Sequence, residues 1–299
     1  TTGSHPKALW PGVHAFWGQT YAEHAAEYVD LFEEDTSEKA YEEDVQITGF
    51  GLAPIKAEGA SVTYDYETQG TVSRYTHIAY ALGYIVTYEE LRDNLYEVVS
   101  MRRAKANAFS IAQTVETVCA ATYNNAFDTA YPVADGAALL SASHTQATGG
   151  TYSNLLSPAA DLSEAALEDL SIQIMGTTTD RGLNINIMPQ SLHVPRQEWY
   201  NANRILQSVL QSGTANNDIN VLKAVNAFPK GIKMNHYLTS STRWFVRTNC
   251  PNGMMLYWRD KPMFDQDNDF DTKNAKSATY FRFSVGNTDP RGIYGSNAP

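Results

Sequence analysis

Seven histidines, two cysteines and one alternating run of aspartates are the residues of this chain whose chemistry could go beyond packing. The histidines, His5, His14, His24, His77, His144, His193 and His236, are scattered along the sequence. None has a second ligand at the i, i+4 spacing that sets two metal ligands on one helical face. Ser143 and His144 are adjacent, which is the wrong geometry for a nucleophile and its base, because productive pairs meet across a fold. Asp265, Asp267, Asp269 and Asp271 alternate in DQDNDFD. In extended chain their carboxylates line one face and repel unless countered. A calcium loop wants glycine at its sixth position and glutamate at its twelfth, and Phe270 and Lys276 stand there. The run therefore reads as a solvated loop paired with Lys273, Lys276 or a neighbouring subunit, with a metal site as the rival. No GxSxG, Walker A, GxGxxG or HExxH pattern is present,. Cys119 lies within an apolar helical pattern and Cys250 far from it. The pair makes a poor disulfide framework and fits a reducing compartment. No catalytic residue, metal or cofactor is expected.

Composition allows a sizeable core, because 43% of 299 residues are hydrophobic,. Charged residues are only 18%, with 18 tyrosines, a balance that suits surfaces meeting other protein. The net charge of −11 is concentrated in Ala22–Asp44, where ten carboxylates face only Lys39. That stretch reads either as a solvated face or as an arm meeting a basic patch on a neighbour. Wholesale neutralisation of nucleic-acid phosphate is excluded as its main task. No run of 18 apolar residues supports a membrane span, and TTGSHPKALWPG has no secretory pattern,.

The elements that must position these residues begin with an amphipathic helix over Trp10–Phe32, followed by a charged connector over Glu33–Asp44 and an extended segment over Val45–Ala53,. A polar ribbon over Gly59–Thr87 reads as a hairpin with its tip at Thr68-Gln69-Gly70,. It lies either along its own domain's edge or across an adjacent copy. From Tyr88 to about Asp128 there is neither proline nor glycine. The stripe Leu91, Leu95, Val98, Met101, Ala104, Ala108, Ile111, Val115, Val118, Thr122 and Ala126 predicts one long helix,. A loop-like stretch follows over Tyr131–Pro158. Helices are expected through Ala165–Met175 and over Pro195–Gln211, and strands over Leu183–Val194, Gly231–Cys250, Met254–Trp258 and Ala278–Val285,. The order predicts an α+β fold.

Several segments carry a family resemblance: DGAALLSASHT (Asp135–Thr145), GGTYSNL (Gly149–Leu155), LSEAALEDL (Leu162–Leu170), LHVPRQEWYNANRILQS (Leu192–Ser208), YLTSSTRWFV (Tyr237–Val246), DFDTKN (Asp269–Asn274) and DPRGIYGS (Asp289–Ser296). In this order the chain resembles tailed-bacteriophage major capsid proteins of the Hong Kong 97 type, close to the Mu-like major head subunit group, from about Phe50 onward. The resemblance implies an N-terminal arm and lead-in (1–58), an extended loop (59–87), a peripheral domain with a spine helix (88–135), an axial domain (136–230), further peripheral strands (231–285) and a C-terminal segment returning to the axial domain (286–299). The inter-subunit contacts expected on this basis are Glu33, Glu34, Tyr64, Tyr66, Arg74, Arg102 and Arg103. The implied partners are further copies in hexamers and pentamers, packaged double-stranded DNA held without sequence specificity, a portal, and scaffolding or decoration proteins, with no membrane. The implied location is the virion, assembled in the host cytoplasm. A nanocompartment shell of the same fold is the alternative, and a metal-dependent hydrolase built on the aspartate run is a rival from another class.

Overall fold

The computed structural model describes residues 10–93, 96–211, 218–269 and 271–298. Along the chain run α1 (Trp10–Glu23), α2 (Tyr28–Leu31), β1 (Glu33–Thr36), β2 (Tyr41–Ile47), β3 (Gln69–Thr76), β4 (Ile78–Val86), α3 (Tyr88–Arg92), α4 (Tyr96–Asn124), β5 (His144–Thr145), β6 (Thr151–Tyr152), α5 (Glu164–Met175), β7 (Pro189–Pro195), α6 (Trp199–Gln207), α7 (Val221–Ala224), β8 (Ile232–Asn235), β9 (Trp244–Thr248), β10 (Met254–Asn268), β11 (Ala275–Asn287) and β12 (Ile293–Ser296). They divide into two compact units. Unit one holds residues Thr1–Glu42, Tyr75–Cys119 and Leu256–Val285, and unit two holds Glu43–Arg74, Ala120–Met255 and Gly286–Pro299.

Unit one combines α4 with a four-stranded sheet ordered β1-β10-β11-β4. β11 alternates from Ala275 to Phe283, so Ser277, Thr279, Phe281 and Phe283 point inward while Lys276, Ala278 and Tyr280 face water; the alternation ends at Ser284, which is also buried,. α4 brings Ala104, Ala108, Ile111, Val115 and Cys119 to the core at steps of three and four,. Trp17 of α1 stacks 5.3 Å from Tyr21 and 5.4 Å from Phe264. Its indole Nε1 donates to Asn107 Oδ1 at 2.9 Å.

Unit two is built on a four-stranded sheet ordered β12-β9-β7-β8, with β7 parallel to β8 and antiparallel to β9. Helices α5 and α6 cover it through Leu167, Leu170, Ile174, Ala202 and Leu206, which pack with Leu192, Val194, Trp244 and Val246. Ser163 caps α5 by accepting from Ala166 N at 3.2 Å,.

Several expectations need correction. The first helix is two: α1 ends at Glu23, and the chain restarts as α2 because Glu116 Oε1 accepts from Glu27 N at 2.7 Å. The connector over Glu33–Asp44 contains β1 and the start of β2. The long helix is also two. A capping box between Thr87 and Glu90 starts α3, and the backbone leaves the helix at Asp93,. α4 then runs for 29 residues, about 43 Å at the usual rise. Met101 is exposed and Val118 and Thr122 are only half-buried, so Cys119 and Tyr123 carry the stripe onward. The stretch Val45–Ala53 is strand only as far as Ile47. Strands β8 and β9 lie in unit two, which extends to Met255, where β9 pairs with β7 and β12. Asp265 and Asp267 lie in β10 itself, not in a loop, and Lys276 Nζ meets Asp269 Oδ2 at 2.7 Å.

The ribbon differs most. β3 and β4 are not partners: β3 pairs with β2, and β4 with β11. Between them His77 is buried, bonded to Ser37 at 3.1 Å and Ser284 at 3.0 Å. The chain reverses earlier than expected, where Ala60 N donates to Ala57 O at 3.1 Å and Gly59 takes a left-handed φ of 79°,. Gly70 serves a different need. A side chain there would press against Gln46 O at 3.2 Å.

Candidate assembly interface

β2 and β3 lead into an extended loop whose arms are residues 48–57 and 60–68. At its base Thr48 N donates to Thr68 O at 3.1 Å, and Thr68 N to Thr48 Oγ1 at 3.0 Å. From Phe50 to Gln69 every residue is exposed. Its large apolar side chains are mostly in water: Leu52 is 83% exposed, Ile55 101%, Tyr64 90% and Tyr66 78%, with Phe50 and Val62 a little over half exposed. Six large apolar side chains exposed on one loop are the kind of surface that meets another molecule,. The ribbon below it continues the pattern, with Val45, Ile47 and Val72 also exposed.

The loop's lower end is tied to unit two by charge. Asp65 Oδ2 accepts from Gly51 N at 2.9 Å and Oδ1 from Tyr66 N at 2.9 Å. These amides, with the Arg181 guanidinium, hold its carboxyl below the usual carboxylate range,. Arg181 Nη2 donates to Tyr66 O at 2.6 Å. Next to it, Asp180 turns inward to Arg291 at 2.5 Å. Arg291 also pairs with Asp289 at 3.2 Å and lies 4.4 Å from the Tyr152 ring centroid. Burial opposes its charge, but Asp289, Tyr152 and Asp180 hold the guanidinium above its ordinary range,. Beside this hub, His144 Nδ1 lies 2.7 Å from Asp135 Oδ2 and Nε2 lies 3.0 Å from Asn154 Oδ1. Asn154 Nδ2 donates to the carbonyls of Leu139, Pro290 and Ile293. The histidine is thus committed to the scaffold. Ser143, its neighbour, uses its amide to reach Ser141 Oγ at 3.2 Å.

The seven expected contact residues divide between the two units, Glu33, Glu34, Arg102 and Arg103 in unit one and Tyr64, Tyr66 and Arg74 in unit two. Tyr64 and Tyr66 lie in the exposed loop. Arg74 on β3 is exposed, with Nε 3.6 Å from Glu43 Oε1. Arg102 is exposed on α4. Arg103 is taken up within its own unit, by Glu90 at 2.9 Å and the Ile85 carbonyl at 2.6 Å. Glu33 and Glu34 lie on the exposed strand β1, and Glu34 hydrogen-bonds the Tyr28 hydroxyl, adding to the burial that raises that phenol's pKa.

One surface escaped the sequence. A groove of about 770 Å³ in unit two runs between α5 and α7, lined by Ile172, Met175, Met188, Val221, Leu222 and Val225. Ile172 and Met175 belong to the apolar pattern of α5, but the core takes Ala166, Leu167, Leu170 and Ile174 from that helix and leaves these two outside. A helix whose apolar residues exceed one stripe was the available signal. Among the described residues no group of acids, histidines or cysteines could hold a metal ion, and no helix is long and apolar enough to cross a membrane.

A mixed fold with an exposed loop, a long helix and two units is the Hong Kong 97-like capsid architecture, and solved structures match it across nearly the whole chain. The capsid of a native GTA particle aligns with a TM-score of 0.57 at 12% identity, covering 92% of this chain and 91% of its own. The Microbacterium phage Oxtober96 structure aligns at 0.55 and 9% identity, covering 92% of each chain. A virus-like particle from Pyrococcus furiosus aligns at 0.54 and 10% identity, covering 97% of this chain and 99% of the other. No curated protein matches in sequence. The family model described as phage capsid protein matches residues 70–296, and the chain belongs to that family. Its role is structural, as a virion component that assembles into oligomeric shells.

Proposed function

We propose that this chain is the major head subunit of a tailed phage, forming hexamers and pentamers that close into an icosahedral shell around double-stranded DNA. Assembly takes place in the host cytoplasm, with a portal and scaffolding or decoration proteins as further partners. The observation that carries the reading is the exposed loop with its apolar side chains. A soluble monomer has no use for such a loop. A neighbouring copy removes those side chains from water, at about 1.5–3 kcal/mol for each large one before ordering costs. Head-to-tail contacts close into rings when the rotation between successive copies closes, as the proposed hexamers and pentamers require. Repetition over many copies then stabilises a shell whose single contacts are weak.

Tyr64, Tyr66, Arg74 and Arg102 are the contacts proposed for this surface, with Glu33 and Glu34 making salt-sensitive ones. Sedimentation and negative-stain microscopy of the purified chain test the reading. Hollow megadalton particles, lost on Tyr64→Ser with Tyr66→Ser, support it. A small, stable oligomer under all conditions contradicts it. Particle stability that is unchanged by salt, and by Glu33→Lys with Glu34→Lys, removes the acidic contacts from the account. A cargo-holding nanocompartment of the same fold is the second reading. Nucleic acid or enzyme inside particles from the native source separates the two.

A further inference from the structure

A loop that docks on another molecule gains from being aimed beforehand, because every unproductive orientation lowers the apparent affinity by the fraction it occupies. In this chain the arms are tied at the Thr48–Thr68 base and once more above it. Asp65 bridges the arms, accepting from Gly51 N on one and Tyr66 N on the other, both at 2.9 Å. Beyond it, among the described residues, the arms next meet at the Ala57–Ala60 turn. The same carboxylate lies 3.8 Å from Arg181 Nη1, and Nη2 of that arginine holds the Tyr66 carbonyl at 2.6 Å.

Arg181 is itself mounted on a fixed turn. Thr179 N donates to Leu183 O at 2.7 Å, Gly182 N donates to Thr179 O at 2.9 Å, and Gly182 takes a left-handed φ of 74°. Asp180 pins the turn from inside through its 2.5 Å pair with Arg291, of which only 4% of the side chain is exposed. Two neighbouring residues thus face opposite ways: Asp180 into the buried hub, Arg181 out to the loop.

We propose that Asp65 and Arg181 form a positioning clamp that sets the direction in which the extended loop leaves its unit and presents it to a neighbouring copy already aimed. The inference rests on the shell reading above. Neither residue needs to touch the neighbour. Their part is to hold the base of the loop so that Ile55, Tyr64 and the tip arrive together.

The test uses Asp65→Ala, Arg181→Ala, the double variant and Arg181→Lys in the full chain. Assembly is followed by light scattering at matched subunit concentration. Loop mobility is read independently by trypsin, since Lys56 is the one lysine or arginine between Thr48 and Thr68. Each alanine variant is expected to slow assembly about tenfold, as when the docking-competent fraction falls to about a tenth. Cutting at Lys56 should quicken and the unfolding midpoint should stay in place. The double variant should lose no more than either single one, and lysine at 181, which can still reach the Tyr66 carbonyl, should restore part of the rate. Assembly at the wild-type rate despite faster cutting overturns the clamp. So does slow assembly with a lowered unfolding midpoint and unchanged cutting, which marks general destabilisation. A wild-type chain that forms no particles is a different result. It overturns the shell reading, and with it the clamp's part in assembly.

Discussion

Replacing Arg291 by methionine should destabilise unit two strongly. The guanidinium sits 2.5 Å from Asp180 and 3.2 Å from Asp289, with only 4% of its side chain and 6% of that of Asp180 exposed. It also stacks 4.4 Å from the centroid of Tyr152. Methionine keeps much of the volume but strands the buried Asp180 carboxylate, for which the described alternative donor is Ala147 N at 3.4 Å. Removing one partner of a buried pair costs about 3–5 kcal/mol. For a unit of this size that is a fall of about 10 °C in melting temperature. Urea unfolding of the subunit measures it, with the slope of the transition checked against wild type. A second variant tests the cause: pairing Arg291→Met with Asp180→Leu removes both charges, and should recover much of the loss. A cost for Arg291→Met below about 1 kcal/mol, within the range of exposed ion pairs, would refute the claim that this hub organises the unit.

Glu116 offers a test in unit one. Burial pushes its carboxyl up to about 7, against the pull of the Glu27 and Tyr28 amides, so the folded chain holds this proton more firmly than the unfolded chain does. Stability should therefore fall as pH rises from the ordinary carboxylate range through about 7,. Glu116→Gln should flatten that dependence and exceed wild type by about 2 kcal/mol at alkaline pH, with the two converging at acid pH. Parallel stability curves from thermal melts across pH would contradict the assignment. The aspartates of β10 and the following turn should bind no calcium tightly, since Lys276 already neutralises Asp269 at 2.7 Å. A rise in melting temperature on adding calcium would reverse that conclusion.

The parts of this fold legible in the sequence are those in which local pattern and tertiary demand agree. α4 declares itself through its spacing of small apolar residues, because one face meets the unit-one core,. β11 alternates from Ala275 to Phe283 and is legible there for the same reason. The sequence places the ribbon's reversal at 68–70, whereas the chain turns at 57–60. A Gly-containing tripeptide at 68–70 and another turn at 57–60 look alike locally, and the pairing of β3 with β2 decides between them. The breaks after α1 and at Asp93 were hidden because distant or reciprocal hydrogen bonds create them, through Glu116 in one case and the Thr87–Glu90 box in the other. Arg103 stands among the seven expected contact residues, and no spacing rule indicates that Glu90 and the Ile85 carbonyl receive it. The clamp at Asp65 was invisible for the same reason, since Arg181 lies far along the chain.

In the proposed shell, residues 48–68 are completed by another copy of the chain. Hydrogen exchange over this segment, measured on the dissociated subunit and on the assembled particle, tests it most directly. The account predicts amides that exchange almost freely in the subunit and become protected in the particle, with the gain centred on Ile55 and on Val62–Tyr66. Equal exchange in the two states, with protection gained elsewhere, would contradict it.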